Sequence, residues 1–279
     1  MNKMKKFLAV LMSVLLVVAL FGCKKAKEEK VLRVGMECAY APYNWTQPTD
    51  ANGAVPIKDS KDYAHGYDVM MAKYLADKIG YKLEIHKIDW GSLPIAVQSG
   101  AIDCAIAGQS ITAERLENLD FTTPYYYASI VVLTRKDSPY ANAKGLSDLA
   151  GARATSQINT VWYDVCLPQI ENVDKKPAMD DTTAMFVSLD SGNCDILVTD
   201  KPTALGAVAV YPNLVMLDFT GTDDDFEVSE EEINIGISVK KGNTELLKLL
   251  NDALATLTTE DFERMMKEAI SIQPIAEAE

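Results

Sequence analysis

Residues 98–115 read QSGAIDCAIAGQSITAER. Ile102, Cys104, Ala105, Ile106 and Ala107 form a short apolar run between Gly100 and Gly108, the composition of a strand buried on both faces of a parallel sheet. Beyond its end stand groups suited to a ligand. Gly108 permits close backbone approach, Ser110 offers a hydroxyl, and Arg115 offers a planar fork of donors that matches a carboxylate. The stretch predicts a strand whose carboxyl end faces a binding site.

Upstream, VLRVGME at 31–37 predicts a strand, and residues 41–66 predict a long loop rich in Pro, Asn and Asp. A helix over 67–79 should close on Gly80, followed by a strand over 81–88 and a short helix after Ser92. Such alternation predicts an α/β protein with a parallel sheet and right-handed crossovers. Downstream, a second series begins near Leu146, with a strand over 153–156, helices from Thr160 and Thr182, and a strand over 194–199. SGAIDCAIAG at 99–108 and SGNCDILVTD at 191–200 share Ser-Gly, an Asp at the same offset and a mostly apolar run, a weak internal repeat. Two similar lobes are the expectation. Because ligands sit beyond the carboxyl ends of strands in open α/β sheets, Gly108, Ser110 and Arg115 should face Thr199 and Asp200 across a cleft. A strand over 233–239 and amphipathic helices over 244–257 and 260–269 need a core, and returning to the first lobe supplies one.

The amino end, MNKMKKFLAVLMSVLLVVALFGC, has three lysines, an apolar run and then Gly22-Cys23, the pattern of a secretory signal over residues 1–22. Leu20-Phe21-Gly22-Cys23 resembles the lipobox of bacterial lipoproteins, which implies lipidation of Cys23 and a charged tether over residues 23–30. Without Lys3, Lys5 and Lys6 the 27 basic residues fall to 24 against 40 acids, a net charge of −16. Nucleic acid is therefore excluded as a partner, and the acid keeps an exported chain soluble.

Cys38, Cys104, Cys166 and Cys194 lack CxxC spacing. Four buried thiols are expected, with Cys166–Cys194 as the alternative disulfide. Only His65 and His86 are present, neither spaced from a cysteine as a ligand pair, so no metal is expected. His86 falls within the alternating run YKLEIHKI and is read as a strand residue.

Several segments together resemble the extracytoplasmic solute-binding proteins of the polar amino-acid ABC transporter family, bacterial solute-binding protein family 3. They are ECAYAPYNW at 37–45, HGYDVMMAKYLADKIG at 65–80, IDWGSLPIAVQSGAIDCAIAGQSITAERLENLDFTTPYYY at 88–127 and ILVTDKPTAL at 196–205. AGQSITAER followed by DFTTPYY is the most specific. The resemblance runs from about Val31 to Met266 and implies a two-lobed, periplasmic-binding-protein-like (type II) α/β fold with two crossover hinge strands and a central cleft. The first lobe would comprise residues 31–128 with 236–279, the second 129–235, with hinges near 127–130 and 234–236.

A free amino acid requires a bidentate arginine and N–H groups for its carboxylate, and acceptors for its ammonium. By family position Arg115 meets the carboxylate with the amides of Ser110 and Thr160, while Gly108, Ser110 and Asp200 meet the ammonium. Asp200 also reads as the cap of a helix beginning Lys201-Pro202. Tyr40 and Trp90 stand where relatives sandwich the ligand side chain, or are lobe-core residues. Glu37 stands where cation-selective members carry an acid; it meets a cationic ligand, pairs with a neighbour or faces solvent. Asp68 matches an acid frequent in the family and is read as structural, starting the helix. Gln157 to Trp162 depart from the basic or Gly-rich run of many relatives, and residues 47–65 form a loop long enough for a lid or rim.

The resemblance implies capture of a free amino acid by a monomer without cofactor or chemistry, then delivery to an ABC permease and its ATPase. The protein would be held by the Cys23 lipid on the outer face of the cell membrane, or be periplasmic in a two-membrane bacterium. One rival is an enzyme on the same scaffold, resembling cyclohexadienyl dehydratase, with Glu37 as the one cleft acid free for proton transfer. The other is a ligand-sensing lipoprotein without a permease.

Overall fold

The computed structural model describes residues 29–274, so the signal segment, Cys23 and most of the tether lie outside the described residues. The compact unit begins at Val31. It is built on two five-stranded sheets. The first runs, in spatial order, Lys82–Lys87, Val31–Met36, Cys104–Ala105, Ser238–Lys240 and Leu119–Phe121. The second runs Asp174–Lys175, Arg153–Thr155, Ile196–Asp200, Ile130–Arg135 and Leu214–Leu217.

Both sheets are mixed, which corrects the expected all-parallel arrangement. The first three strands of each are parallel, and the fourth is antiparallel to both neighbours. In each case the antiparallel strand lies next to a crossover between lobes: Ile130–Arg135 enters the second lobe, and Ser238–Lys240 returns to the first. The crossovers pair with each other as a two-stranded ribbon, Tyr126–Tyr127 against Asn234–Ile235. Hydrophobic periodicity fixes which residues are buried but carries no information on strand direction.

The repeat noted in the sequence occupies equivalent places in the two sheets. Asp103 accepts from the backbone N–H of Arg33 at 2.8 Å and from its guanidinium, with 2.6 Å to Nη2. Asp195 does the same for Arg153, at 3.0 Å to the backbone and 2.6 Å to Nη2. The shared Asp thus clamps the second strand of each sheet, as ordered above, to the start of its third. The ladder at the opening stretch is short, only Cys104–Ala105, yet Ile102, Ile106 and Ala107 flanking it are buried.

Strand Ile130–Arg135 shows why the second lobe has two cores. Ile130 and Val132 pack with Cys166 and Phe219 on one face, while Val131 and Leu133 pack with Met185 and Cys194 on the other, the two-residue alternation of a strand. Cys166 and Cys194 therefore sit on opposite faces of the sheet and cannot pair. All four cysteines among the described residues are free and buried. Burial pushes Cys38 and Cys166 up to about 12, which suppresses their thiolates.

Residues 41–66 are not the irregular loop expected. A small antiparallel sheet of Ala39–Tyr40, Asn44–Gln47, Tyr63–His65 and Val55–Pro56 forms there, tied to the first sheet by a bridge from Ile57 to Ile85. Its two- to four-residue strands are too short for an alternation signal. Helix Tyr67–Ile79 ends at Gly80 in the left-handed conformation, φ 72°, as its position predicts. Helices Thr244–Leu254 and Thr259–Ile272 bring Leu250, Leu254, Met266 and Ala269 into the first-lobe core. Among the described residues no helix is long and apolar enough to cross a membrane.

A thiol reagent should leave Cys38, Cys104, Cys166 and Cys194 unmodified in the folded protein and label all four after denaturation. Peptide mapping that recovered a Cys166–Cys194 cross-link would contradict the two-faced core.

Candidate functional site

The cleft is assembled from strand ends. Val31–Met36 ends in Glu37 and in Cys38, whose φ of 54° turns the chain toward Tyr40. The third strand of the same sheet leads to Gly108 at φ 62°, where an added Cβ would lie 2.5 Å from the Tyr40 ring. Only glycine meets both conditions. Ser110 follows and bridges to Ile235 of the returning crossover. Arg115 lies on helix Ala113–Asn118, whose start is capped by the Thr112 side chain accepting from the Arg115 N–H.

The Arg115 guanidinium folds back into the cleft. It donates through Nη1 to the Ser110 carbonyl at 2.8 Å and through Nη2 to the Asn159 carbonyl at 2.9 Å, and lies 5.3 Å from the Trp90 ring centre. Burial pulls it down to about 10, which still leaves it cationic at neutral pH. Two of its five N–H donors are committed to backbone carbonyls that fix its plane, and three remain.

The second lobe contributes residues 157–162. Asn159 takes a left-handed φ of 58°, and the Thr160 hydroxyl donates to the Gln157 carbonyl at 2.7 Å. The chain then enters a π-helical turn, Trp162–Cys166. Across the cleft Gln157 Nε2 donates to Glu37 at 3.0 Å, and Trp90 Nε1 donates to the Ile158 carbonyl at 3.0 Å. The Thr182 hydroxyl donates to the Ala39 carbonyl, also at 3.0 Å. The lobes are thus joined by direct bonds from side chains of both.

Glu37, Tyr40, Trp90, Gly108, Ser110, Arg115 and Thr160 line one cavity of about 320 Å³ of atom-free space, part of it opening to solvent. Its other walls are Gln157, Val161 and Trp162. Of the expected residues only Asp200 is missing from this lining. Its carboxylate is engaged elsewhere: it caps helix Lys201–Val210 by accepting from the Thr203 N–H at 2.9 Å, takes the Thr203 hydroxyl at 3.0 Å and accepts from the Tyr40 hydroxyl. Its strand end and family position put Asp200 at the cleft; the Tyr40 hydroxyl of the other lobe donates to its carboxylate. Residues 47–65, considered as a lid or rim, contribute nothing to this cavity.

Gln157 and Trp162 were visible in the sequence only as departures from the family run, and Val161 carried no signal. Tyr40 is part core, part wall, with its ring stacked on Tyr43 at 4.6 Å between centres. Asp68 does not start its helix: Gly66 is the N-cap residue, and the buried Asp68 carboxylate instead accepts from Tyr125 at 2.6 Å and Asn44 at 2.7 Å.

Glu37 is only 6% exposed. Burial raises its carboxyl to about 7, against the opposing hydrogen bond from Gln157 and with help from the nearby charges of Asp181 and Asp89. Burial likewise raises Asp68 to about 7, opposed by Tyr125 and Asn44. Both carboxyls hold their protons more tightly folded than unfolded. Their contribution to stability is therefore full below the unfolded values of 4.5 and 3.8 and is lost as pH rises through about 7.

The melting temperature of the ligand-free protein should fall between about pH 5 and about pH 7.5 and level off above. Glu37→Gln should remove part of that slope and raise stability at about pH 8 by on the order of 1–3 kcal/mol. A slope unchanged in Glu37→Gln would mean that Glu37 is ionised throughout.

Residues 32–269 match the family described as bacterial extracellular solute-binding proteins, family 3. The L-cystine-binding protein TcyJ of Escherichia coli (strain K12) is 28% identical over 233 residues, covering 84% of this chain and 79% of that protein. The crystal structure of an amino acid ABC transporter substrate-binding protein from Streptococcus pneumoniae Canada MDR_19A bound to L-arginine is similar at a TM-score of 0.73 with 25% identity. The match covers 86% of this chain and 94% of that one. The ancestral amino acid-binding protein AncCDT-1, a precursor of cyclohexadienyl dehydratase, matches at a TM-score of 0.68 and 26% identity, over 86% and 95% of the two chains.

Proposed function

From the premise that the chain belongs to the bacterial extracellular solute-binding proteins of family 3, we propose that its ligand is an amino acid with a cationic side chain. It binds a free amino acid in the cleft between its lobes for uptake through an ABC-type permease. Arg115 turns a pair of its uncommitted donors to the carboxylate, aided by the amides of Ser110 and Thr160. The Gly108 carbonyl and Ser110 take the ammonium. Asp200 acts on this end through Tyr40, whose hydroxyl it holds. Tyr40, Trp90 and Trp162 flank the side chain, and Glu37 receives its charge.

The observation that carries the ligand class is the state of Glu37. This carboxyl is buried at the cavity wall with one neutral amide as its hydrogen-bond partner, and burial raises it to about 7. A cation placed against it completes its ionisation and offsets its desolvation. A neutral side chain there would leave the acid to protonate.

Binding proceeds without turnover, with Glu37 occupied by the ligand rather than free for proton transfer. Among the described residues the lobes are 31–128 with 236–274, and 129–235, moving about the paired crossovers. The chain is exported, lipidated at Cys23 and monomeric, and hands its ligand to the permease and ATPase. A Cys23→Ser variant should be released from cells into the medium or periplasm; retention at the membrane would rule the anchor out.

A thermal-shift screen of the twenty amino acids with L-cystine should give its largest upward shift with L-arginine or L-lysine. Affinity for that ligand should rise between about pH 6 and about pH 8 as Glu37 ionises, while neutral amino acids show no such trend. A largest shift from L-cystine or a neutral amino acid would overturn the cationic class. By calorimetry Arg115→Lys should weaken binding by roughly tenfold to a hundredfold, because a point charge cannot replace the fork. Wild-type affinity in that variant would remove Arg115 from the carboxylate.

A further inference from the structure

We infer that Asp68 is a positioning residue that sets both cleft-facing strand ends, at Gly108 and at Glu37, through the two oxygens of one buried carboxylate. Two directed chains of hydrogen bonds meet on it. In one, the Gly108 N–H donates to the Tyr125 hydroxyl at 3.1 Å, and that hydroxyl donates to Asp68 Oδ1 at 2.6 Å. In the other, the Cys38 N–H donates to Asn44 Oδ1 at 2.7 Å, and Asn44 Nδ2 donates to Asp68 Oδ2 at 2.7 Å.

The first chain orients the peptide entering Gly108, at the strand end assigned to the ammonium. The second orients the peptide that joins Glu37 to Cys38, and with it the side-chain acid. Both peptides precede a residue of positive φ, Gly108 at 62° and Cys38 at 54°, where the backbone has few other ways to be held. Asp68, Asn44 and Tyr125 are fully buried and Cys38 is 2% exposed, while Gly108 is partly exposed. Asp68 itself is fixed by its backbone N–H, which donates to the Tyr43 carbonyl at 2.8 Å in the first turn of helix Tyr67–Ile79.

The two ends have opposite duties in the proposed site, one generic for every amino acid and one selective. A single carboxylate that places both makes the distance between backbone recognition and side-chain recognition a property of the fold. The inference rests on the amino-acid reading of the cleft and deepens it.

A double-mutant cycle on the full chain, with L-arginine as the probe in calorimetry, tests it. Tyr125→Phe removes one hydroxyl and keeps the ring; Asp68→Asn keeps the shape and removes the charge. Each should weaken binding by roughly tenfold or more, and the double variant should be no weaker than the worse single, since both cut the same chain. In nitrogen–proton spectra of the ligand-free proteins, Asp68→Asn should move the amide resonances of both Gly108 and Cys38, and Tyr125→Phe that of Gly108. Penalties that multiply in the double variant, or Tyr125→Phe binding within about twofold of wild type, would overturn the assignment. If Asp68→Asn does not fold, Tyr125→Phe and Asn44→Ala decide, by affinity and by the Gly108 and Cys38 resonances respectively. A wild type that ignores L-arginine and binds another amino acid overturns the ligand class, and the cycle is then read with that amino acid.

Discussion

The pairing of the two crossovers is the constraint on which the rest of the molecule depends. Tyr126–Tyr127 and Asn234–Ile235 form an antiparallel ribbon, and Ile235 bridges on its other side to Ser110. The segment after Gly108 runs along the returning crossover through further backbone bonds, Ile111 N–H to the Asn234 carbonyl at 3.1 Å and Gly236 N–H to the Gln109 carbonyl at 3.0 Å. At Gly236 an added Cβ would fall 2.7 Å from the Ile111 side chain, which would have to shift. Site and hinge are consequently one piece of backbone. The crossovers lie a few residues from Ser110, so a dihedral change there would reposition groups that line the cleft.

The second constraint is the cost of charge out of water. Glu37, Asp68 and Asp200 are all buried, and burial raises the carboxyl of each. The chain handles them differently. Asp68 and Asp200 have hydrogen bonds to both oxygens, the structural solution for a buried acid. Glu37 receives one neutral donor and remains the least compensated of the three. A group left short of partners at a cavity wall is where a ligand gains most, because the partner it brings removes an existing penalty instead of creating one.

Legibility in the sequence followed the same division. Gly108, Ser110 and Arg115 could be read because their chemistry is local: a strand end, a hydroxyl, a fork of donors on one contiguous stretch. Helix Tyr67–Ile79 could be read because its glycine cap and apolar stripe are also local. What failed depended on partners distant in the chain. The direction of Ser238–Lys240 follows from the route of the crossovers, which no residue pattern encodes. The small sheet within residues 39–65 was hidden because its strands are too short to alternate. Asp200 is expected at the cleft from its strand end and family position, but its bond from the Tyr40 hydroxyl, distant by 160 residues, has no local signal. Asp68 reads as structural, but its partners Asn44 and Tyr125, 24 and 57 residues away, needed the folded chain to bring them together.

The departure at residues 157–162 takes on meaning once Glu37 is placed. A lysine or arginine at position 157 would reach the same carboxylate that the Gln157 amide now touches, and would hold it ionised and paired within the protein. An acid so neutralised offers a cationic ligand little, since the ligand must compete with a charge already in place. The neutral amide does the opposite: it fixes the orientation of Glu37 without supplying charge. Trp162 and Val161 line the same cavity beside it. In the proposed reading, selectivity belongs to the pair, an acid on one lobe and an uncharged partner on the other, held at 3.0 Å.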